Sequence, residues 1–151
     1  MKQTILFLVA ILSFNFANAQ TEKSTTEWKA GFIFAPQGGI KLKNPESGFK
    51  QYNPLFFAVL ATKGKITVNP FYALGGNNVG LVLEYSWNPN LGTYLVANKN
   101  IHRNEGYAGI GTDTPIAGGR ALAFVEIGSE FQSFDPEFFF GIFIPLFHSF
   151  K

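Results

Sequence analysis

The chain has 151 residues, a formal net charge of +2, no cysteine and only 15% charged residues, set against 18 Phe and 16 Gly. No cysteine means no disulfide, no thiolate metal site and no cysteine nucleophile, and near charge balance without a basic cluster argues against nucleic acid as a partner. Soluble domains carry about 25% charged residues, so this composition points to strands that face an apolar surround.

Met1 to Ala19 reads as a cleaved signal peptide. Lys2 supplies the positive start, Ile5 to Leu12 the apolar stretch, and Ala17-Asn18-Ala19 a small-x-small junction before Gln20. The apolar run is too short for a helical span, and polar residues 20–27 follow it. Residues 28–151 form a single domain. With no cysteine to carry a lipid, the exported chain is not a lipoprotein.

Turn residues cut that domain into eight strands: Trp28–Ala35, Pro54–Thr62, Lys65–Leu74, Val79–Asn88, Gly92–Asn98, Tyr107–Asp113, Arg120–Phe131 and Glu137–Phe147. No helical period competes with this reading. Val79, Leu81, Leu83, Tyr85 and Trp87 alternate with Gly80, Val82, Glu84, Ser86 and Asn88, as a strand between two different environments requires. Pro70 predicts a bulge in the third strand. The fold class expected is all-β, an eight-stranded antiparallel up-and-down barrel.

An even strand count with both termini on one side suits an outer-membrane barrel. Lys63-Gly64, Asn88-Pro89-Asn90 and residues 114–119 become the short periplasmic turns. The long connections 36–53 and 99–106 then lie outside the cell. Trp28, Trp87, Tyr94 and Phe147 fall near one end of their strands, and Phe34, Tyr72, Tyr107, Phe131 and Phe138 near the other, as two interfacial belts. On these features the chain resembles the small outer-membrane barrels of the OmpA transmembrane-domain and OmpX-like kind, at the level of architecture. Phe140, Ile142, Ile144 and Leu146 alternate in the last strand as those barrels do, although Pro145 and the terminal Lys151 depart from their pattern. The resemblance implies an outer-membrane location with membrane lipid as partner.

Three groups of residues are candidates for a role. Leu81, Leu83 and Tyr85 are expected to face lipid. Lys41, Lys43 and Lys50 lie in the longest connection, where they offer charge to anionic lipopolysaccharide. Lys65, Glu84, Arg120 and Glu126 are expected to form a balanced polar network inside a plugged lumen, with Leu122 and Phe124 as neighbours. The first, second and last strands are apolar on both faces, which predicts an apolar interior sector, either packed or holding an apolar ligand. A periplasmic or secreted carrier of an apolar ligand is therefore the alternative to a structural or surface-interaction role in the outer membrane.

Enzyme chemistry has little support. His102 and His148 are the two histidines, and no carboxylate motif accompanies them as a metal site needs. His148 and Ser149, with Glu126 and Glu130 nearby, suggest a lipid-modifying barrel enzyme as a weaker alternative. Adjacent strand residues point to opposite faces, however, and cannot form a nucleophile–base pair. Gly109, Gly111, Gly118 and Gly119 lack the strand–helix context of a phosphate loop. The expectation is a non-enzymatic protein without cofactor or metal.

Overall fold

A computed structural model describes residues 26–43 and 45–150. The expected signal peptide and most of the polar segment after it lie outside the described residues. Ten strands form one antiparallel sheet: β1 (Glu27–Phe34), β2 (Gln37–Lys41), β3 (Lys50–Tyr52), β4 (Leu55–Lys63), β5 (Ile66–Leu74), β6 (Asn78–Asn88), β7 (Leu91–Asn100), β8 (Gly106–Ile116), β9 (Ala121–Glu130) and β10 (Pro136–Phe150). Pairing of β1 with β10 closes the sheet on itself.

Ten segments make eight barrel strands, because two prolines divide the first hairpin without shifting it. β1 and β2 pair with β10 in one continuous register, Phe34 opposite Ile144 and Gln37 opposite Gly141. β4 and β3 likewise continue one register against β1 and β2, from Phe34 opposite Leu55 to Gln37 opposite Tyr52. Pro36 and Pro54 lack the N–H that a ladder needs, and neighbouring bonds bridge the interruption. Ala35 N donates to Pro54 O at 3.0 Å and Ile142 N donates to Pro36 O at 3.1 Å. The expected long connection 36–53 is thus corrected. Most of it is strand, and the link between β2 and β3 is residues 42–49, with a 3-10 turn at Pro45–Ser47.

The expected bulge at Pro70 is also absent. Ala58 pairs with Phe71 and Ala61 with Val68, so the ladder opens opposite Pro70 and resumes in the same register. The shift occurs instead between Ser86 and Asn88, beside Trp87. Pro145 sits within β10 opposite Ile33.

The register fixes the width of the barrel. From Trp28 the partners run through Ala61, Val68, Leu83, Leu95, Ile110, Ile127 and Phe138 to Ile40, a stagger of twelve residues for one circuit. At ~3.3 Å per residue and ~4.7 Å between strands, that stagger tilts the strands by about 46° and sets a radius of about 9 Å. Every member of this circuit is apolar and faces outward, Leu95 being 54% exposed and Ile110 49%. The circuit one residue earlier faces inward: Thr62, Thr67, Glu84, Tyr94, Gly111, Glu126, Phe139 and Gly39. One pleat therefore separates an apolar exterior from a polar and aromatic interior.

Candidate functional site: the acidic lumen

The interior encloses a cavity of about 580 Å³ that runs along the barrel axis. Its walls are built from the inward residues of every long strand. Ile33, Phe56, Leu60, Phe139, Phe143 and Phe147 line the side formed by β1, β4 and β10. The apolar sector expected from the two-sided strands is present, but it is one wall. Across the cavity stand Glu84, Asp113 and Glu126, with Glu137 on β10.

Glycines create the room these carboxylates occupy. A β-carbon at Gly92 would stand 2.6 Å from Asp113 Oδ1 and 3.0 Å from Glu84 Oε1, so the bare backbone there lets the two acids converge. A β-carbon at Gly39 would meet Glu137 Oε1 at 2.5 Å, and one at Gly109 would meet Glu126 Oε1 at 3.0 Å. Two tyrosines lie flat on the wall by the same device. Tyr94 lies over Gly111, and Tyr107 crosses Gly128, where a β-carbon would collide with the Tyr107 hydroxyl. Any larger residue at these positions would push the ring into the cavity.

The hydrogen bonds of the acids come from hydroxyls. Tyr107 donates to Glu126 Oε1 at 2.5 Å, Tyr52 to Glu137 Oε1 at 3.2 Å, and Ser86 to Glu84 Oε1 at 3.4 Å. Aromatic contacts pack the same region: Phe124 stacks on Phe143 with centroids 4.0 Å apart, and Phe143 meets Tyr94 edge-on at 6.2 Å. Phe124 is buried and Leu122 lines the cavity, as expected for inward companions.

The expected network of Lys65, Glu84, Arg120 and Glu126 is not assembled. Glu84 and Glu126 line the lumen, but Lys65 and Arg120 are exposed in the turns before β5 and β9. Lys65 reaches Trp87 O at 3.4 Å and lies 5.9 Å from the Tyr85 ring centroid, on the outside. No ion pair among the described residues joins these four. Both bases have the inward parity of their strands yet stand just before the first strand residue, where the pleat ends and water is accessible. Exposure there avoids the cost of burying a charge.

The other expected residues are placed as follows. Leu81, Leu83 and Tyr85 share the outward face of β6 with Val79 and Trp87. Lys43 and Lys50 are exposed at the rim, and the Lys43 ammonium donates to Phe134 O. Lys41 is half-buried at the end of β2 and pairs with Asp135 Oδ2 at 3.2 Å. Trp28 and Trp87 are exposed on the outer surface. Tyr94, Tyr107 and Phe147 line the lumen, however, and are removed from the expected belts. His148 is exposed on β10, and the Ser149 side chain lies outside the described set. Among the described residues no group of three or more His, Asp or Glu is placed to hold a metal ion.

The fold defines a closed eight-stranded antiparallel β-barrel with an acidic, aromatic-lined interior. No family model, no curated protein and no solved structure matches the chain.

Proposed function

We propose that this protein is a non-enzymatic outer-membrane barrel, embedded in lipid by its outer face and acting through its outer rim, with the same broad role as the OmpA- and OmpX-like barrels it resembles. The observation that carries this reading is the apolar outward circuit from Trp28 to Ile40. A soluble monomer rarely exposes a contiguous apolar patch beyond a few hundred Å², whereas a membrane barrel needs a continuous apolar band around its girth. Strands β6, β7 and β8 have 11, 10 and 11 residues, which matches the roughly 9–11 residues of a tilted spanning strand.

The connections agree with that orientation. The turns at residues 64–65, 89–90 and 117–120 are short and share one end. The links at 42–49, 101–105 and 131–135 share the other with the three-residue turn 75–77, so that three of the four connections at that end are longer than any at the first, as membrane barrels prefer for their extracellular side. Lys43 and Lys50 at that rim are placed to meet anionic lipid headgroups. Stacking of Phe124 on Phe143, with Phe143 edge-on to Tyr94, supports a chamber rather than an open pore, and no stable single-channel current is expected in planar bilayers. A soluble carrier of a neutral apolar ligand is less well supported, since the outer surface is greasier than the cavity.

The test is fractionation of a Gram-negative host expressing the full chain, followed by carbonate extraction and a gel of unheated against boiled samples. Carbonate-resistant protein with heat-dependent mobility is the expected result. A soluble periplasmic protein with one mobility would overturn the proposal.

A further inference from the structure

Seven carboxylate residues line the cavity, Glu84, Glu105, Asp113, Glu126, Glu130, Asp135 and Glu137, against one base, Lys29. Lys29 is paired with Glu27 at 3.0 Å. Glu105 and Glu130 are exposed at the rim and Asp135 is paired with Lys41, but Asp113 and Glu137 are only 7% and 8% exposed, so the inner acids are not a solvated face. Buried negative charge needs compensation by partners that donate or carry positive charge. The hydroxyls of Tyr107, Tyr52 and Ser86 answer part of that need.

A second observation is independent of charge. Among the described residues, the buried side-chain polar atoms without a hydrogen-bond partner are Asn69 Oδ1, the Tyr94 hydroxyl and Asp135 Oδ1. All three are oxygens, and all three belong to residues that line the cavity. Tyr94 is only 3% exposed, and its hydroxyl lies on the wall between Glu84 and Glu126 in the inward register circuit. Buried polar groups in native proteins are almost always satisfied. Asn69 Oδ1 and Asp135 Oδ1 can only accept, and the Tyr94 hydroxyl, which faces Glu126, keeps lone pairs free to accept, so a donor-rich occupant would complete all three.

The third observation is the apolar wall. Phe56, Phe71, Phe139 and Phe143 face the same space as the acids, and aromatic faces attract cations as well as apolar groups. The volume falls within the roughly 300–1,000 Å³ of small-molecule sites. We infer that the lumen is a binding site for a small organic cation, an ammonium group carried on an apolar or aromatic body. The ammonium supplies three donors and a positive charge to the wall of Glu84, Asp113 and Glu126, and the body packs against the phenylalanines. Neutral apolar molecules lack the first interaction and organic anions are repelled. Because it concerns only the interior, the inference stands apart from the membrane reading.

The experiment is isothermal titration of the refolded full chain, in a non-ionic detergent, with 2-phenylethylammonium, 2-phenylethanol and 3-phenylpropionate. The three probes share an aromatic body and differ in charge. Saturable binding of the ammonium, at least tenfold tighter than either of the others, is expected. In Glu126→Gln that preference should fall at least fivefold, with heat-dependent gel mobility retained as the sign of a folded barrel. Should Glu126→Gln fail to refold because a neutral amide oxygen holds the Tyr107 hydroxyl less strongly than the carboxylate, Glu84→Gln makes the same test away from that bond. Equal binding of the alcohol, no saturable binding of the ammonium, or an unchanged preference in the folded variant would overturn the assignment.

Discussion

Tyr107 reaches Glu126 from the next strand, its hydroxyl 2.5 Å from Oε1, because Gly128 opens the wall beneath the phenol. The pair links an inward acid to the packing of the barrel, since the Tyr107 ring also meets Phe139 edge-on at 5.9 Å. Removing the hydroxyl in Tyr107→Phe leaves Glu126 without that donor, which costs about 1–3 kcal/mol. Gly128→Val forces the phenol off the wall and should also destabilise the barrel. Urea unfolding in lipid vesicles measures both. Wild-type stability in both variants would mean that the contact contributes nothing to the fold.

Leu83 and Glu84 are adjacent on β6 and face opposite sides of the wall. Leu83 lies on the apolar outward circuit near mid-strand, so Leu83→Arg places a charge against lipid. The cost should be roughly 2–4 kcal/mol at the bilayer midplane, read as loss of unfolding free energy or of insertion into vesicles. Unchanged stability and insertion would remove β6 from the lipid-facing surface.

The rim loop is shorter than its sequence suggests, and proteolysis distinguishes the two lengths. Trypsin applied to intact cells should cut after Lys43, in the exposed link of residues 42–49. It should spare Lys41, which ends β2 and is held by Asp135 at 3.2 Å. Replacing Lys41 with Ala should cost no more than ~1 kcal/mol, because the pair remains partly exposed. Cleavage at Lys41 with the speed seen at Lys43 would show that the hairpin ends at the prolines instead.

Much of this barrel was legible in the sequence, and the residues that were not share physical causes. The alternation from Val79 to Trp87 is strong because two environments differ across one wall, and the eight strands follow from such patterns and from Gly, Asn and Pro at the turns. Pro36 reads as a loop signal and Pro54 as the start of a strand, because a proline removes a local donor. Their strands persist because β10 holds Gly39 opposite Phe139, a contact more than ninety residues distant that no local pattern reveals. Tyr94 reads as a belt residue because Thr93, Leu95 and Ala97 differ too little in polarity from Tyr94, Val96 and Asn98 to decide the facing. What decides it is Gly111 on the neighbouring strand, where the ring finds space. Lys65 and Arg120 had the correct parity and the wrong position, each just short of its strand. The glycine-and-acid pairing of Gly92, Gly39 and Gly109 is legible only across strands, once the register is known.

The most direct measurement of the central claim uses the absence of cysteine in the chain. Single cysteines at Leu95, Ile110 and Ile127 on the outward circuit, and at Val96 on the lumen wall, each take one spin label in the refolded barrel. Collision with oxygen, which concentrates in lipid, is compared with collision with a water-soluble nickel chelate. Labels at Leu95, Ile110 and Ile127 should be open to oxygen and shielded from nickel, while the label at Val96 should not share that lipid signature. Nickel access at the three outward positions equal to that of a label in water would contradict a lipid-embedded barrel.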